Sequence, residues 1–232
     1  MLQALLRGIY PRRCPCCRGV IAPDMLICPE CEKTFKPVCP PFCMKCGRHV
    51  SDDAEYCEEC IKKDHGYTGG IAVFEYDSRM KRSMSDLKFN GWKENADYFA
   101  DQAVLRRGND ILDFAPEILI PVPIHKSRLR YRGYNQAQLI AEGIGKRLGI
   151  AVGNDILIRT RKTLAQKTLG RENRSENLKT AFNYVSDRSF SRVMLVDDIY
   201  TTGATIEGCT RALRSAGTDE VGFICIAAGG GA

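Results

Sequence analysis

From about residue 67 onward, apolar runs alternate with amphipathic segments. Unbroken apolar runs are typical of strands buried on both faces, and the chain has three clear ones and a shorter one: "EILIPVP", "SRVMLVDD", "EVGFICIAA" and "NDILI". Between them, apolar residues recur at helical spacing in "NQAQLIAEGIGKRLG" and "ATIEGCTRALRSAG". Strands that alternate with helices predict an α/β domain whose parallel sheet carries helices on both faces.

The stretch before this alternation predicts one more strand and two more helices. "YTGGIAVFEYDS" contains two adjacent glycines and alternates, which indicates a strand or a hairpin. Met80, Met84 and Leu87 then lie at helical spacing ahead of an Asn-Gly stop, and "ADYFADQAVLRR" is amphipathic. The α/β domain is therefore expected to begin near residue 67.

Residues 1–66 show little helical or strand periodicity but hold most of the cysteines. Of the 12 cysteines in the chain, 10 precede residue 61. Such a segment cannot bury enough apolar surface to fold on a core of its own, so its order must come from cross-links. We therefore expect two domains, a cysteine-rich one over residues 1–66 and the α/β one over residues 67–232.

Eight of these cysteines form four C-x-x-C pairs, a spacing typical of zinc ribbons. One pair points two sulfurs at one ion, and two pairs complete a tetrahedron with bonds of about 2.3 Å. Ten residues separate the pairs in each half, which favours one zinc ion per half over an interleaved arrangement. The predicted ligands are Cys14, Cys17, Cys28 and Cys31 for the first ion, and Cys43, Cys46, Cys57 and Cys60 for the second.

Two details of the metal module stay open at this point. Cys16 could replace Cys17 as a ligand, and His65 could compete with Cys60. A closed four-sulfur site leaves no position for chemistry, so it serves either as a structural staple or in recognition of nucleic acid or protein. Two zinc ions on eight thiolates lower the formal net charge from +6 to about +2, so net charge says little about partners.

No segment of the sequence predicts export or membrane insertion. The first residues, "MLQALLRGIYPRRC", lack the apolar core of a signal peptide, and no window approaches the roughly 18 apolar residues of a membrane helix. We therefore expect a cytoplasmic location. In that reducing compartment, paired cysteines hold metal more often than they form disulfides.

The stretch "VMLVDDIYTTGAT" passes from an apolar run to two adjacent carboxylates, Asp197 and Asp198, and then to small residues. In parallel sheets, ligands bind beyond the carboxyl ends of strands, where a loop leads into a helix. The backbone N–H groups of Thr201 to Thr205 can ring a phosphate there, and Gly203 permits its close approach. The carboxylates can accept hydrogen bonds from a diol or hold Mg²⁺ through water. The segment therefore predicts a ribose 5-phosphate site.

This combination resembles the signature of type I phosphoribosyltransferases, which bind phosphoribosyl pyrophosphate (PRPP). The resemblance implies that Asp197 and Asp198 are the catalytic pair, which contacts the ribose hydroxyls while Mg²⁺ accompanies PRPP. It also implies that the following loop holds the 5-phosphate through Thr201, Thr202, Gly203, Ala204 and Thr205. A flexible loop that closes over the site and a separate pyrophosphate loop after an earlier strand belong to the same pattern.

Over nearly the whole chain the sequence resembles the ComF family, also called competence protein F or GntX-type proteins. The likeness lies in the cysteine-paired head, "ILIPVPIHKSRLRYRGYNQAQLIA" and "RTRKTLAQKTLGRENRSENLKTAF". It implies a pyrophosphate loop at Pro123, Ile124 and Lys126, and a flexible loop over residues 159–173 with Arg161, Lys162 and Lys167. It also implies a role in DNA uptake, with single-stranded DNA and a DNA translocase or helicase of the competence machinery as partners.

Basic residues are concentrated between His125 and Thr180, where 13 Lys or Arg residues face 4 Asp or Glu residues. This excess can balance a departing pyrophosphate, follow a nucleic-acid backbone, or form a solvated basic face. Tyr131 and Tyr134 alternate with Arg130 and Arg132, so they either offer a stacking surface for bases or pack against the sheet.

The sequence leaves two functions open. The first is an enzyme that transfers the phosphoribosyl group of PRPP with release of pyrophosphate. No base-recognising segment is legible, so the acceptor is unidentified, and no cysteine at the N-terminus suits a glutaminase. The second is a non-catalytic protein that binds single-stranded DNA during natural transformation.

Overall fold

A computed structural model of the chain describes residues 11–160 and 181–229. Its strands are β1 Gly69–Glu75, β2 Ile118–Pro121, β3 Leu157–Arg159, β4 Phe182–Tyr184, β5 Arg192–Tyr200 and β6 Glu220–Ala228. Four of them form one sheet in the order β1-β6-β5-β2, and every pairing in it is parallel. The predicted parallel sheet is confirmed, and "YTGGIAVFEYDS" forms an edge strand rather than a hairpin.

The run "NDILI" does form a strand, but it lies outside this sheet. Its strand β3 pairs antiparallel with β4, with Ile158 opposite Asn183. The outer edge of β2 instead carries an isolated parallel bridge between Leu119 and Val152. The expectation that every apolar run joins the parallel sheet is therefore wrong here, because the chain leaves the sheet edge after Val152.

The helices are α1 Glu58–Lys62, α2 Ser78–Phe89, α3 Asn95–Phe114, α4 Lys126–Arg132, α5 Gln136–Leu148 and α6 Ala204–Ser215. Two of the predicted helices begin at a side-chain cap: Asp77 accepts a hydrogen bond from the Met80 amide, and Asn135 accepts one from the Ala137 amide. Helix α4 was not predicted. It is short, and its local start signal is His125, whose Nδ1 accepts from the Ser127 amide at 3.1 Å.

The sheet separates two apolar layers, because alternate residues of each strand face opposite sides. On one side, Met194 of β5 packs with Phe99 of α3 and Ile140 of α5. On the other side, Leu195 packs with Leu213 of α6. Both faces of the sheet are thus covered by helices.

The cysteine-rich segment is joined to the edge of the sheet by backbone hydrogen bonds. The Val38 amide donates to the Val73 carbonyl at 3.0 Å, and the Glu75 amide donates to the Lys36 carbonyl at 2.9 Å. The adjacent Phe35 is buried in the layer that contains α2 and α3. The segment therefore continues the sheet at β1.

The two halves of the cysteine-rich segment pack against different apolar clusters. Cys14, Ile21 and Cys31 form a small apolar cluster of their own. Cys43 and Cys46 instead belong to the large apolar layer that contains the buried side chains of α6. The expectation that cross-links alone order this segment is therefore wrong for its second half, which shares the core of the sheet.

Across the described ranges, no helix is both long enough and apolar enough to span a lipid bilayer.

Candidate functional site

A cavity of about 570 Å³ opens at the carboxyl ends of β2 and β5. Its lining combines α2, the segment after β2, helix α4, strand β3, and β5 with the loop that follows it. This is the edge of a parallel sheet at which ligands bind in α/β folds. Of the residues predicted for the ribose 5-phosphate site, Asp197, Asp198, Thr201 and Thr205 line this cavity.

The two carboxylates lie inside β5 rather than at its end. The strand continues through Tyr200, which pairs with Ala228 of β6. Asp197 and Asp198 are only 7% and 4% exposed. The Nζ of Lys88 lies 2.8 Å from Oδ2 of Asp198, and the Asp198 amide donates to Oδ1 of Asp197 at 2.9 Å. The two buried acids thus lie next to each other, with Lys88 in direct contact with Asp198.

This environment favours the protonated form of Asp197. Burial, together with the nearby charge of Asp198, raises the pKa of Asp197 to about 8. Lys88 favours the charged form of Asp197 but does not outweigh the loss of water. The carboxyl of Asp197 is therefore costly to keep charged in this fold, as is common for groups that serve a ligand.

We expect Asp197 to lower the stability of the chain as the pH rises from about 4 to about 8. The pKa of Asp is about 3.9 in an unfolded chain, so between the two values the folded state holds more protons. This stabilisation is complete below the unfolded pKa and is lost as the pH rises through the folded pKa. Urea unfolding across this range should show a flatter profile for Asp197→Asn. The exposed Asp113→Asn is the control, and an unchanged slope in Asp197→Asn would contradict the shifted pKa.

The loop after β5, residues 201–205, is called the phosphate loop below. Thr201 and Thr205 line the cavity, Thr202 is exposed, and Ala204 begins helix α6. Gly203 is the N-cap of the helix with a φ of 72°, and as a glycine it offers no side chain to accept from the first turn. The N–H groups of that turn therefore favour an anion, as does the dipole of the 12-residue helix.

Five cationic side chains surround the carboxylates and the phosphate loop. Lys81 and Lys88 come from α2, Arg128 and Arg132 from α4, and Arg159 from β3. Because the described lining contains two carboxylates against these five cations, it has an excess of positive charge that suits a ligand with several negative charges.

Sequence reasoning missed the lysines of α2. Lys81, Ser85 and Lys88 form a stripe at i, i+4 and i+7 beside the apolar stripe of the same helix. This spacing can be read from the sequence. No local pattern, however, indicates that the stripe faces strand β5, which is more than 100 residues away in the chain. The position of these lysines follows from tertiary packing.

Only part of the predicted pyrophosphate loop lines the cavity. Pro123 and Ile124 line the cavity. Lys126 begins helix α4 and is exposed, and among the described residues it is Arg128 and Arg132 of the same helix that reach the cavity. The predicted flexible-loop residues Arg161, Lys162 and Lys167 lie outside the described residues.

The two tyrosines of the basic segment take different positions. Tyr131 lines the cavity and is 82% exposed, next to the exposed Arg130. Tyr134 is half-buried, and its hydroxyl donates to the carbonyl of Leu87. Tyr131 is therefore open to a stacking partner, whereas Tyr134 packs onto α2.

The eight cysteines of the C-x-x-C pairs form two clusters, and within each the four sulfurs lie within 4.8 Å of one another. The first cluster is Cys14, Cys17, Cys28 and Cys31, and the second is Cys43, Cys46, Cys57 and Cys60. The sequential pairing predicted from the spacing matches both clusters.

Both clusters fit a tetrahedral zinc ion. Bonds of about 2.3 Å place neighbouring sulfurs roughly 3.8 Å apart. The Cys17 and Cys28 sulfurs are 3.7 Å apart, and those of Cys46 and Cys57 are 3.6 Å apart. His65 is not in the second cluster, since it stacks on Tyr67 and lies 3.6 Å from a Glu207 carboxylate oxygen.

Cys16 belongs to neither cluster. It packs against the small apolar cluster around Ile21 and against the layer containing α3. The alternatives in which Cys16 or His65 replaces a cysteine ligand are therefore not supported by the structure.

Comparison with known families gives two matches along the chain. Residues 5–61 match the double zinc ribbon domain, and residues 137–232 match the phosphoribosyl transferase domain. The second match includes the carboxylate pair and the phosphate loop.

Similar proteins of comparable length are found among bacteria. "Competence protein F" of Haemophilus influenzae is 32% identical over 227 residues, which cover 93% of this chain and 96% of that protein. "DNA utilization protein YhgH" of Escherichia coli K12 is 26% identical over 86% of this chain and 88% of the other. A purine phosphoribosyltransferase structure from Pyrococcus horikoshii covers 56% of this chain and 73% of its own, at 17% identity and a TM-score of 0.36.

Proposed function

Because the chain belongs to the ComF family of competence protein F, we propose that its cavity binds PRPP or another ribose 5-phosphate ester. We also propose a division into a double zinc-ribbon domain over residues 1–66 and a phosphoribosyltransferase-like domain over residues 67–232.

One observation carries the ligand proposal: the carboxylate pair and the phosphate loop border the same cavity. A vicinal diol can donate hydrogen bonds to the carboxylates of Asp197 and Asp198. A phosphate can accept hydrogen bonds from the amides of residues 201–205 at the start of α6. Ribose 5-phosphate carries these two groups on opposite sides of one small ring, which matches the two ends of the site.

The remaining cations support a place for pyrophosphate. Arg128 and Arg159 line the cavity together with Pro123 and Ile124, on elements other than the phosphate loop. In a transfer reaction, the bond between the anomeric carbon and the pyrophosphate oxygen breaks, and pyrophosphate leaves with the electron pair while a nucleophile bonds to the carbon. Arginines can stabilise this growing negative charge because they keep their own proton and positive charge.

The carboxylate oxygens also suit a hard divalent cation. When bound with PRPP, Mg²⁺ would neutralise part of the pyrophosphate charge. Asp197 and Asp198 would hold it directly or through water, while Lys88 keeps Asp198 in a fixed orientation by the ion pair at 2.8 Å.

The direct test is protection of the purified full chain against heat. A ligand at 100 times its dissociation constant raises the free energy of unfolding by about 2.7 kcal/mol. Ribose 5-phosphate with Mg²⁺ should raise the melting temperature, and PRPP should raise it further. Ribose and inorganic phosphate are the controls, and equal curves with ribose and ribose 5-phosphate would contradict the proposal.

Single-stranded DNA is the second candidate ligand, and the exposed face of α4 favours it. Arg128, Arg130 and Tyr131 are all exposed on this helix, and Arg128 and Tyr131 also line the cavity. Lysine and arginine can follow phosphates, and a free tyrosine ring can stack on a base. Relatives whose names refer to competence and DNA utilization support this candidate. We propose a DNA translocase or helicase of the competence machinery as its partner.

Binding of single-stranded DNA should weaken steeply with salt, because Lys and Arg contacts to phosphate release counterions. Arg130→Gln should lower affinity for all sequences alike and reduce the salt slope by about 0.7, measured by fluorescence anisotropy from low to moderate salt. Lys146→Gln removes the same charge from the exposed side of α5 and is the control. Equal losses in the two variants would argue against α4 as the DNA surface.

A further inference from the structure

One residue connects the second cysteine cluster to the phosphate loop. Arg48 lies two residues after Cys46 and is only 4% exposed. Its guanidinium donates a hydrogen bond to the backbone carbonyl of Thr201, the first residue of the phosphate loop. Its Cζ also lies 4.8 Å from the centre of the Tyr200 ring. A side chain of the zinc ribbon thus holds the backbone of the proposed ligand site.

The backbone of Arg48 belongs to the turn that binds the metal. The Cys43 amide donates to the Arg48 carbonyl at 2.7 Å, and the Gly47 amide donates to the Cys43 carbonyl at 2.9 Å. A metal that fixes the sulfurs of Cys43 and Cys46 therefore fixes the point from which the Arg48 side chain reaches across.

Holding the Thr201 carbonyl also orients the next amide. In a trans peptide the C=O and the following N–H point in opposite directions within one rigid plane. With the Thr201 carbonyl turned towards Arg48, the N–H of Thr202 must point away from the ribbon. That N–H is one of the donors assigned to the ligand phosphate.

Tyr200 gives the loop a second support from the same side. A Cβ atom at Gly203 would lie 2.6 Å from the Tyr200 hydroxyl oxygen, so the loop backbone rests directly on this ring. The Tyr200 hydroxyl is 2.7 Å from that of Tyr67, and its ring stacks on Phe223 at 4.9 Å. Arg48 joins this packed group from the metal-binding turn, over the Tyr200 ring.

We propose that Arg48 is a positioning residue, through which the metal of the second cluster holds the phosphate loop in its binding conformation. This inference rests on the proposed function only for the identity of the ligand. The first cluster is placed differently, since its neighbour Arg18 binds the Asp86 carboxylate on α2 through two hydrogen bonds of 2.9 Å. Loss of the second metal should therefore disturb the phosphate loop, and loss of the first should not.

The first arm of the test changes Arg48 in the full chain. Arg48→Gln should keep two zinc ions per chain by elemental analysis and bind ribose 5-phosphate roughly tenfold more weakly in calorimetry. Arg48→Lys, which can still donate to the Thr201 carbonyl, should recover part of the affinity. The adjacent, exposed His49→Gln is the control and should match the parent. Unchanged affinity in Arg48→Gln would overturn the proposal.

The second arm removes one metal at a time and reads the loop without ligand. Cys60→Ser and Cys17→Ser should each lose one zinc ion, from the second and first cluster respectively. Amide hydrogen exchange at residues 202–205 should rise in Cys60→Ser and stay at the parent level in Cys17→Ser. Equal exchange in the two variants would overturn the link between the second metal and the loop.

Failure of a variant to fold and failure of the proposed function can each be told apart from failure of this proposal. If Cys60→Ser fails to fold, exchange at residues 202–205 in Arg48→Gln decides the question, and parent-like exchange there overturns the proposal. If the parent itself does not bind ribose 5-phosphate, the proposed function fails, while the exchange data still decide whether Arg48 holds the loop.

Discussion

Replacement of both Asp197 and Asp198 by Asn is expected to abolish the thermal protection by ribose 5-phosphate and Mg²⁺. Hydrogen bonds from ribose hydroxyls to carboxylates are charge-assisted and about twice as strong as those to neutral amides. The two side chains are almost fully buried, so water cannot replace what the ligand loses. An amide also has no charge with which to hold Mg²⁺. The melting temperature with and without ligand is the measurement, and calorimetry gives the affinity directly.

Two controls are needed for this double variant, one for loss of folding and one for loss of negative charge in general. Its melting temperature without ligand reports folding, which has to be measured because Asp198→Asn also removes the ion pair with Lys88 at 2.8 Å. Replacing Asp110 and Asp113, which are exposed on α3, by Asn removes the same charge elsewhere and should leave the ligand response intact. Equal affinity in the Asp197/Asp198 double variant and the parent would mean that the carboxylate pair does not contact the ligand.

The sequence predicted the elements whose signal is local. Strand β5 was legible because four consecutive apolar residues precede Asp197, and α5 because its apolar stripe ends at a glycine. The eight ligand cysteines were legible because C-x-x-C spacing fixes which sulfurs can meet. The carboxylate pair was recognised, although its strand was expected to end earlier. Pairing of Ile199 and Tyr200 with β6 extends the strand beyond the acids.

Other features could not be predicted because they depend on backbone atoms or on distant packing. Arg48 binds a carbonyl, a group that every residue carries, so no sequence pattern identifies its partner. The attachment of residues 36–38 to β1 is likewise made by backbone hydrogen bonds. Lys88 reaches Asp198 only because α2 packs over the end of β5. These contacts bring separately legible segments of the chain together at the candidate site.

Gly203→Val is expected to abolish ribose 5-phosphate binding for a reason unrelated to charge. Gly203 has a φ of 72°, a region that costs an ordinary residue about 1–2 kcal/mol and disfavours a β-branched one further. The added Cβ would also lie 2.6 Å from the Tyr200 hydroxyl oxygen, well inside contact distance. Since Tyr200 is packed between Tyr67 and Phe223, the loop must move instead, and the amides of residues 202–205 then lose their common direction. Calorimetry with ribose 5-phosphate measures the loss.

The matched control is Gly149→Val at the end of α5. Gly149 has nearly the same φ, 71°, but a Cβ atom there meets nothing within 4 Å, and the residue is not part of the cavity lining. Both variants should therefore lose stability from backbone strain, whereas only Gly203→Val should lose the ligand. If both bind ribose 5-phosphate like the parent, the amides after β5 are not the phosphate cradle. If both lose binding equally, the effect comes from general destabilisation, and the assignment of the phosphate loop is wrong.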